Sequence, residues 1–242
     1  EHFYQTKYSY SEDISLYKEL KKVEVSDDFF LPEANPFIPK KASVPGREFK
    51  ADVFPELISD KNGHKLYFGQ DHQFLRPKGV ISFKVLLPNS IMSLKHRVYS
   101  RLYTACVNES LNEISYPAKD AGLNYVVKEG YEGIYIDVSG YTESSMVLLE
   151  TVFEHLVNFS ISEDQFTAIK DGIVRNYKNF PLSDAHQQTR ELAPGILNNV
   201  KYTWDESLEI AEKATLEEIE EYSKSLYEKT FVEAMVYGDF QK

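Results

Sequence analysis

The residues most capable of chemistry in this chain are six histidines: His2, His64, His72, His96, His155 and His186. A hydrolytic zinc site needs two imidazoles one helical turn apart and a carboxylate beside the bound water, as in His-x-x-Glu-His or its reverse. No two of the histidines lie within five residues of each other, so neither motif is present. His96 stands near the start of a long helical pattern, but Arg97, Val98, Tyr99 and Ser100 follow it and supply neither a second imidazole nor a carboxylate. His64 and His72 bracket one short strand, where solvated strand ends are the default reading. Glu154 and His155 are adjacent and so project to different parts of a helix. Glu109 and Glu113 stand one turn apart and could face each other as an acid–base pair, although carboxylates at that spacing are usually solvated. Asp184 or Ser183, just before His186, reads as a helix cap. Cys106 falls in an apolar helical pattern and reads as buried filler. There is no Gly-x-Ser-x-Gly elbow and no phosphate-cradling glycine loop. The chain is therefore expected to carry no catalytic residue and no metal ligand, and no substrate-binding residue is assigned.

The balance of charge narrows the classes further. Net charge is −11 over 242 residues, which argues against nucleic acid as a partner, because no basic field exists to displace counterions. Lys18, Lys21 and Lys22 form the densest basic cluster, but Glu19 and Glu24 interleave with it, as on a solvated helix face. No apolar run approaches the ~20 residues of a membrane span, so no membrane contact is expected. A single cysteine excludes an intramolecular disulfide and suits a reducing compartment, cytoplasmic or organellar. Asn108-Glu109-Ser110 and Asn158-Phe159-Ser160 fit the glycosylation pattern but fall in or beside helical stretches, as chance matches do. The chain starts at Glu1 and stops just after an apolar run, and both ends read as cuts in a longer protein.

The elements that must position these residues are legible from periodicity. Residues 12–23 suggest a short helix capped by Ser11. Over residues 24–50 periodicity vanishes while Pro32, Pro36, Pro39 and Pro45 fall close together, which predicts an extended strap. Its Phe29, Phe30, Leu31, Phe37 and Ile38 suggest packing on a surface, and four of them are candidates for interdomain contacts: Phe29, Phe30, Phe37 and Ile38. The division that follows is residues 1–48 as the tail of a preceding domain plus strap, and residues 49–242 as one domain. Strands are expected at 56–59 and 64–69 around Asn62-Gly63, at 80–87, at 122–128 and 133–139, and at 231–237. Helices are expected at 93–115, interrupted by Pro117, and at 144–158. Others should follow the Ser162–Gln165 capping box, Ser183, Asp205 and the Thr215–Glu218 box. That order predicts an α+β fold, a mostly antiparallel sheet with helices packed on one face.

Several motifs, in order, resemble one family. Leu31-Pro32-Glu33-Ala34-Asn35-Pro36-Phe37-Ile38-Pro39 resembles the strap joining the two halves of large insulinase-type (pitrilysin-like) peptidases. Phe3-Tyr4-Gln5-Thr6-Lys7-Tyr8 is similar to a segment where that family has Tyr-Gly-Thr, with Gln5 in place of the glycine. Lys65 to Phe68 with Asp71, Phe74, Pro77 and Lys78 fits the family's hairpin, with Leu66 where a Trp is common. Ser110-Leu111-Asn112-Glu113, Tyr116-Pro117-Ala118, Ala121-Gly122-Leu123, Gly133, Gly140-Tyr141 and Arg175-Asn176 through His186 continue the match. The resemblance implies the end of the second domain plus the third, non-catalytic domain, with a metallopeptidase-like αβ roll. It implies a parent zinc metalloendopeptidase of four domains, folded as two halves around a closed chamber, whose inverted zinc motif lies in the first domain. Zinc would then belong to the parent and no cofactor to this chain. Partners would be the other domains of the same polypeptide and the peptide substrates, with weak self-association of the fragment. The competing reading is a catalytically dead homologue that binds peptides or assembles partners.

Overall fold

The computed structural model describes residues 2–24, 26, 29, 33–44, 46–50, 54–87, 93–130, 132–197, 202–228 and 230–241. The sequence expectations at Phe30, Leu31, Pro32 and Pro45 lie outside the described residues. Two compact units are present, Glu1–Ala34 and Asn35–Lys242. In the first, one helix forms, α1, Ser15–Leu20, and none of its residues is buried. It is shorter than periodicity suggests. Ser11 Oγ accepts from the Asp13 amide, and the Asp13 carboxylate accepts from the Ser15 amide at 2.9 Å, so the helix starts only after that turn.

The second unit has β1 (Glu56–Lys61), β2 (His64–Gln70), β3 (Lys78–Leu86), α2 (Leu94–Ser110), α3 (Asn112–Asp120), β4 (Asn124–Glu129) and β5 (Gly133–Tyr141). After these come α4 (Thr142–Val157), α5 (Glu163–Asn179), a 3-10 turn (Phe180–Leu182), α6 (Ala185–Leu197), α7 (Trp204–Lys213), α8 (Leu216–Leu226) and β6 (Phe231–Gly238). The six strands form one sheet in the order β1-β2-β6-β3-β5-β4. Every pair is antiparallel except β2 with β6. This is the α+β architecture that the element order predicts. No helix among the described residues is long and apolar enough to cross a membrane.

Period-two alternation decides which face of the sheet is covered. Ile81 and Val85 of β3 and Ile134, Ile136 and Val138 of β5 are buried. The alternate residues Ser82, Lys84, Tyr135, Asp137 and Ser139 stay half-exposed. Against the buried face pack Val98, Leu102, Tyr103, Cys106 and Val107 of α2 and Leu148, Val152 and Leu156 of α4. Two local devices set the strands. Asn62 and Gly63 both take positive φ, 54° and 77°, the tight hairpin geometry that Asn-Gly supplies. Gly133, at φ 155°, lets β5 lie so close to β3 that a Cβ there would overlap the Val85 carbonyl oxygen.

The helical break after the long helix falls at Leu111, and Pro117 sits inside α3. At the break the Leu111 carbonyl accepts from the Ile114 amide at 3.2 Å, the Ser115 amide at 3.1 Å and the Tyr125 hydroxyl at 3.3 Å. Pro117 removes one amide from a short helix, and Glu113, whose carbonyl loses that partner, is exposed to water. The capping boxes at Ser162 and Thr215 form as expected. α7 starts one residue before Asp205 and is capped by Thr203, whose amide and hydroxyl both donate to Glu206 at 2.8 and 2.7 Å.

The part of the strap that belongs to this unit is tied down along its length. Asn35 Nδ2 donates to the Pro117 carbonyl at 2.8 Å, while Asn35 Oδ1 accepts from the Phe37 amide. Phe37 is 3% exposed and lies in the core, so it is no free interdomain contact, whereas Phe29 and Ile38 are exposed. The Lys41 amide donates to Glu143, and Arg47 donates to the Asp71 carbonyl and forms a buried ion pair with Asp239, just after β6.

Candidate functional site

The start of α2 is a helical setting of the kind that an inverted zinc motif requires. Ser93 caps it, and His96 lies in its first turn. His96 Nδ1 is buried without a hydrogen-bond partner among the described atoms, and its ring meets the edge of Tyr222 at 6.0 Å. Arg97, next to it in sequence, and Arg101, one turn on, stack at 5.7 Å on Tyr202 and 4.8 Å on Tyr177. One imidazole does not make a zinc site, since no second imidazole, thiolate or carboxylate among the described residues completes a ligand set with it. Among the described residues no group of three or more His, Cys, Asp or Glu could hold a metal ion.

The remaining sequence candidates are dispersed. His64 Nε2 lies 3.1 Å from Ser59 Oγ, and His72 Nδ1 lies 3.0 Å from the Glu48 carbonyl; the two sit at opposite ends of β2. Glu109 and Glu113 are exposed on either side of the Leu111 break, on different helices. Asp184 stands just before α6, its carbonyl accepting from the Gln187 and Gln188 amides, while the Ser183 hydroxyl donates to the Phe180 carbonyl at 2.6 Å. His2 and His186 are exposed. Asn108 donates its amide to the Thr104 and Val127 carbonyls, so its nitrogen is engaged in holding α2 to β4. Cys106 is fully buried, and burial, with the Glu109 charge adding to it, pushes its thiol up to about 12, far from a nucleophilic thiolate.

Two arrangements escaped the sequence reading. His155 meets Ser110, with Nδ1 3.0 Å from Oγ. A nucleophilic serine would aim its proton at that imidazole, but this hydroxyl donates to the Val107 carbonyl at 2.8 Å. The pair fastens α2 to α4. The second is a tyrosine network beneath α8. Tyr103 Oη donates to the Leu156 carbonyl at 2.6 Å and meets Tyr227 Oη at 2.9 Å, while Ser100 Oγ meets Tyr222 Oη at 2.6 Å. Burial pushes the Tyr222 hydroxyl up to about 12 and raises those of Tyr103 and Tyr227, so all three stay neutral and serve packing. Neither arrangement has a local signal, because the partners lie on different elements.

Beside the start of α2 a cleft of about 500 Å³ opens between α2, α5, α6 and the N-terminus of α7. Arg97, Arg101, Arg190, Tyr177, Tyr202 and Trp204 line it. On the far side of the molecule's sheet the outward residues form cross-strand rows. Lys65 pairs with Glu233, Glu233 with Lys84, and Lys84 with Tyr135. Lys84 is also bound by Glu132, whose hydrogen bond raises its pKa. Tyr67, Met235, Ser82 and Asp137 form the next row. The helices α2 and α4 of this unit pack on the other face.

Comparison with known proteins agrees with this architecture. Residues 1–210 match the sequence profile of the middle or third domain of M16 peptidases. The chain is 30% identical over 225 residues to the insulin-degrading enzymes of Bos taurus and Homo sapiens. It is 26% identical over 234 residues to the A-factor-processing enzyme of Saccharomyces cerevisiae. Each alignment covers 93% of this chain and 22% of the relative, so the chain spans about a fifth of their length. The crystal structure of pitrilysin superposes with a TM-score of 0.78 at 26% identity, over 87% of this chain and 22% of that one. An M16 peptidase inactive domain from Pseudomonas fluorescens shares the fold at a TM-score of 0.59 and 14% identity, over 78% of this chain and 47% of that one. The chain belongs to the insulinase (M16) peptidase family, as its middle or third domain.

Proposed function

We propose that this chain is a non-catalytic wall domain of a zinc metalloendopeptidase that degrades peptides, with the zinc held in the parent's first domain. The observation that carries the reading is the start of α2. In a member of a zinc peptidase family, that helix presents His96 followed by Tyr99 and Ser100, where an inverted motif beginning at His96 would need a carboxylate and a second imidazole. The open face of the sheet supports a wall role. Its rows of lysine, glutamate, tyrosine and methionine mix charge with apolar surface, which suits loose contact with varied peptides better than one tight ligand. The partners in this reading are the other domains of the same polypeptide and the enclosed peptide.

The test is made on the full reading frame. Chelator-sensitive cleavage of a fluorogenic peptide, together with an inverted zinc motif upstream of Glu1, is the expected result, and the 242-residue chain alone should bind no stoichiometric zinc and cleave nothing. A parent without the motif and without cleavage would make the protein a dead homologue that holds or assembles peptides. One tightly held zinc in the isolated chain would overturn the assignment.

A further inference from the structure

We propose that the cleft between α2, α5, α6 and α7 binds acidic peptide segments, taking side-chain carboxylates on its arginines and neighbouring apolar side chains on its aromatic walls. The inference rests on the reading of the parent as a peptide-handling enzyme, and names a peptide class and a place for it.

The first support is charge. The chain carries −11, yet the described side chains lining this cleft include Arg101 and Arg190 and no carboxylate. An electropositive hollow in an acidic protein draws carboxylates locally, while the surrounding field repels longer polyanions. Arginine suits the task, because its planar fork takes a carboxylate in two parallel hydrogen bonds. Arg101 is in reach for this, as its contact with Glu129, at 3.9 Å, is long and lies on the side of an adjoining pocket of about 210 Å³. Arg190 is exposed on α6.

The second support is the wall. Tyr177 lies under Arg101 at 4.8 Å, and Phe180 and Trp204 stack at 6.2 Å, tilted by 46°. All three rings are half-buried. Stacking restricts Arg101 before any ligand arrives, so less side-chain freedom is lost on binding. Rings at this position also offer apolar area that a bare inorganic anion could not use, which favours a peptide over phosphate. The cleft's volume, about 500 Å³, accommodates a few side chains.

Trp204 is the chain's single tryptophan and lines the cleft, so its emission reports occupancy without a label. The 242-residue chain is titrated with the capped peptide acetyl-Phe-Glu-Glu-Phe-amide and with its Gln-Gln counterpart. The expected result is a saturable shift in Trp204 emission with the acidic peptide and at least tenfold weaker binding of the neutral one. The double variant R101Q/R190Q should lose at least tenfold in affinity for the acidic peptide, with an unchanged circular-dichroism spectrum. Should that variant misfold, R190Q alone, at an exposed position, is expected to weaken binding severalfold. Equal binding of the two peptides, or of wild type and variants, would overturn the proposal. So would pyrophosphate competing as tightly as the acidic peptide binds, since that describes an anion hollow that ignores its rings. Loss of this site while the full-length protein still cleaves peptides would leave the wall-domain reading intact, and peptide binding here by a parent that cleaves nothing would do the reverse.

Discussion

Residues 2–24 and residues 33–50 are both rich in aromatic and aliphatic side chains and nearly devoid of regular structure. In the first stretch Phe3 is 85% exposed, Tyr10 92% and Leu16 65%. In the second Phe37 is 3% exposed. The difference lies in polar anchoring. A chain without a helix or ladder must satisfy its backbone elsewhere before a side chain can be buried, and the strap does so through Asn35, Lys41 and Arg47. In the first stretch Ser11, Asp13 and Ser15 bond one another, near neighbours in sequence. Apolar content alone therefore does not decide what is buried; the few side chains that cross to another element do.

The largest expected effect separates the two stretches by truncation. A chain of residues 35–242 should unfold in urea within about 0.5 kcal/mol of the whole chain, because removing exposed surface segments costs little. A chain of residues 49–242 should lose at least ~3 kcal/mol, since it forfeits the burial of Phe37 and leaves Asp239 without Arg47. Equal stability of the two truncations would erase the distinction, and would favour residue 49 as the start of the folding domain.

A smaller effect isolates the ion pair. Its side chains are 8% and 5% exposed. Arg47→Met or Asp239→Asn alone should cost about 3 kcal/mol, because each strands a buried charge. The double variant should cost less than the sum of the two, and denaturant melts on all four proteins give the coupling. Strict additivity would mean the strap is held by Phe37 and Asn35 instead.

The smallest effect concerns pH at the turn the strap grips. Burial raises the pKa of Asp71, but the amides of Phe74, Gln73, Leu75 and Arg76 donate to it and hold it below the usual carboxylate range. A depressed folded-state pKa gives stability that is present above the unfolded value, about 3.9, and is lost as pH falls through the folded value. Asp71→Asn should therefore cost about 2 kcal/mol at neutral pH, and the gap from wild type should shrink below about pH 4. A gap that does not change with acid would show that the carboxylate's charge is not what holds the turn.

What the sequence determined by itself was governed by near neighbours. Asn62-Gly63 closed its hairpin because both residues tolerate positive φ. Ser162 and Thr215 opened α5 and α8 because each cap and its partner lie three residues apart. The alternation of β5 named its buried face, and the spacing of six histidines made neither zinc motif possible. The tertiary structure alone decided the rest. At the break the Leu111 carbonyl takes a hydroxyl from Tyr125, a distant residue, and Phe37 is buried beside anchors reaching from Asn35 to Pro117 and from Arg47 to Asp239. The cleft is the extreme case: Arg97 and Arg101 come from α2, Tyr177 from α5, Arg190 from α6 and Trp204 from α7. No local spacing relates those residues, because four helices must pack before their side chains share one hollow.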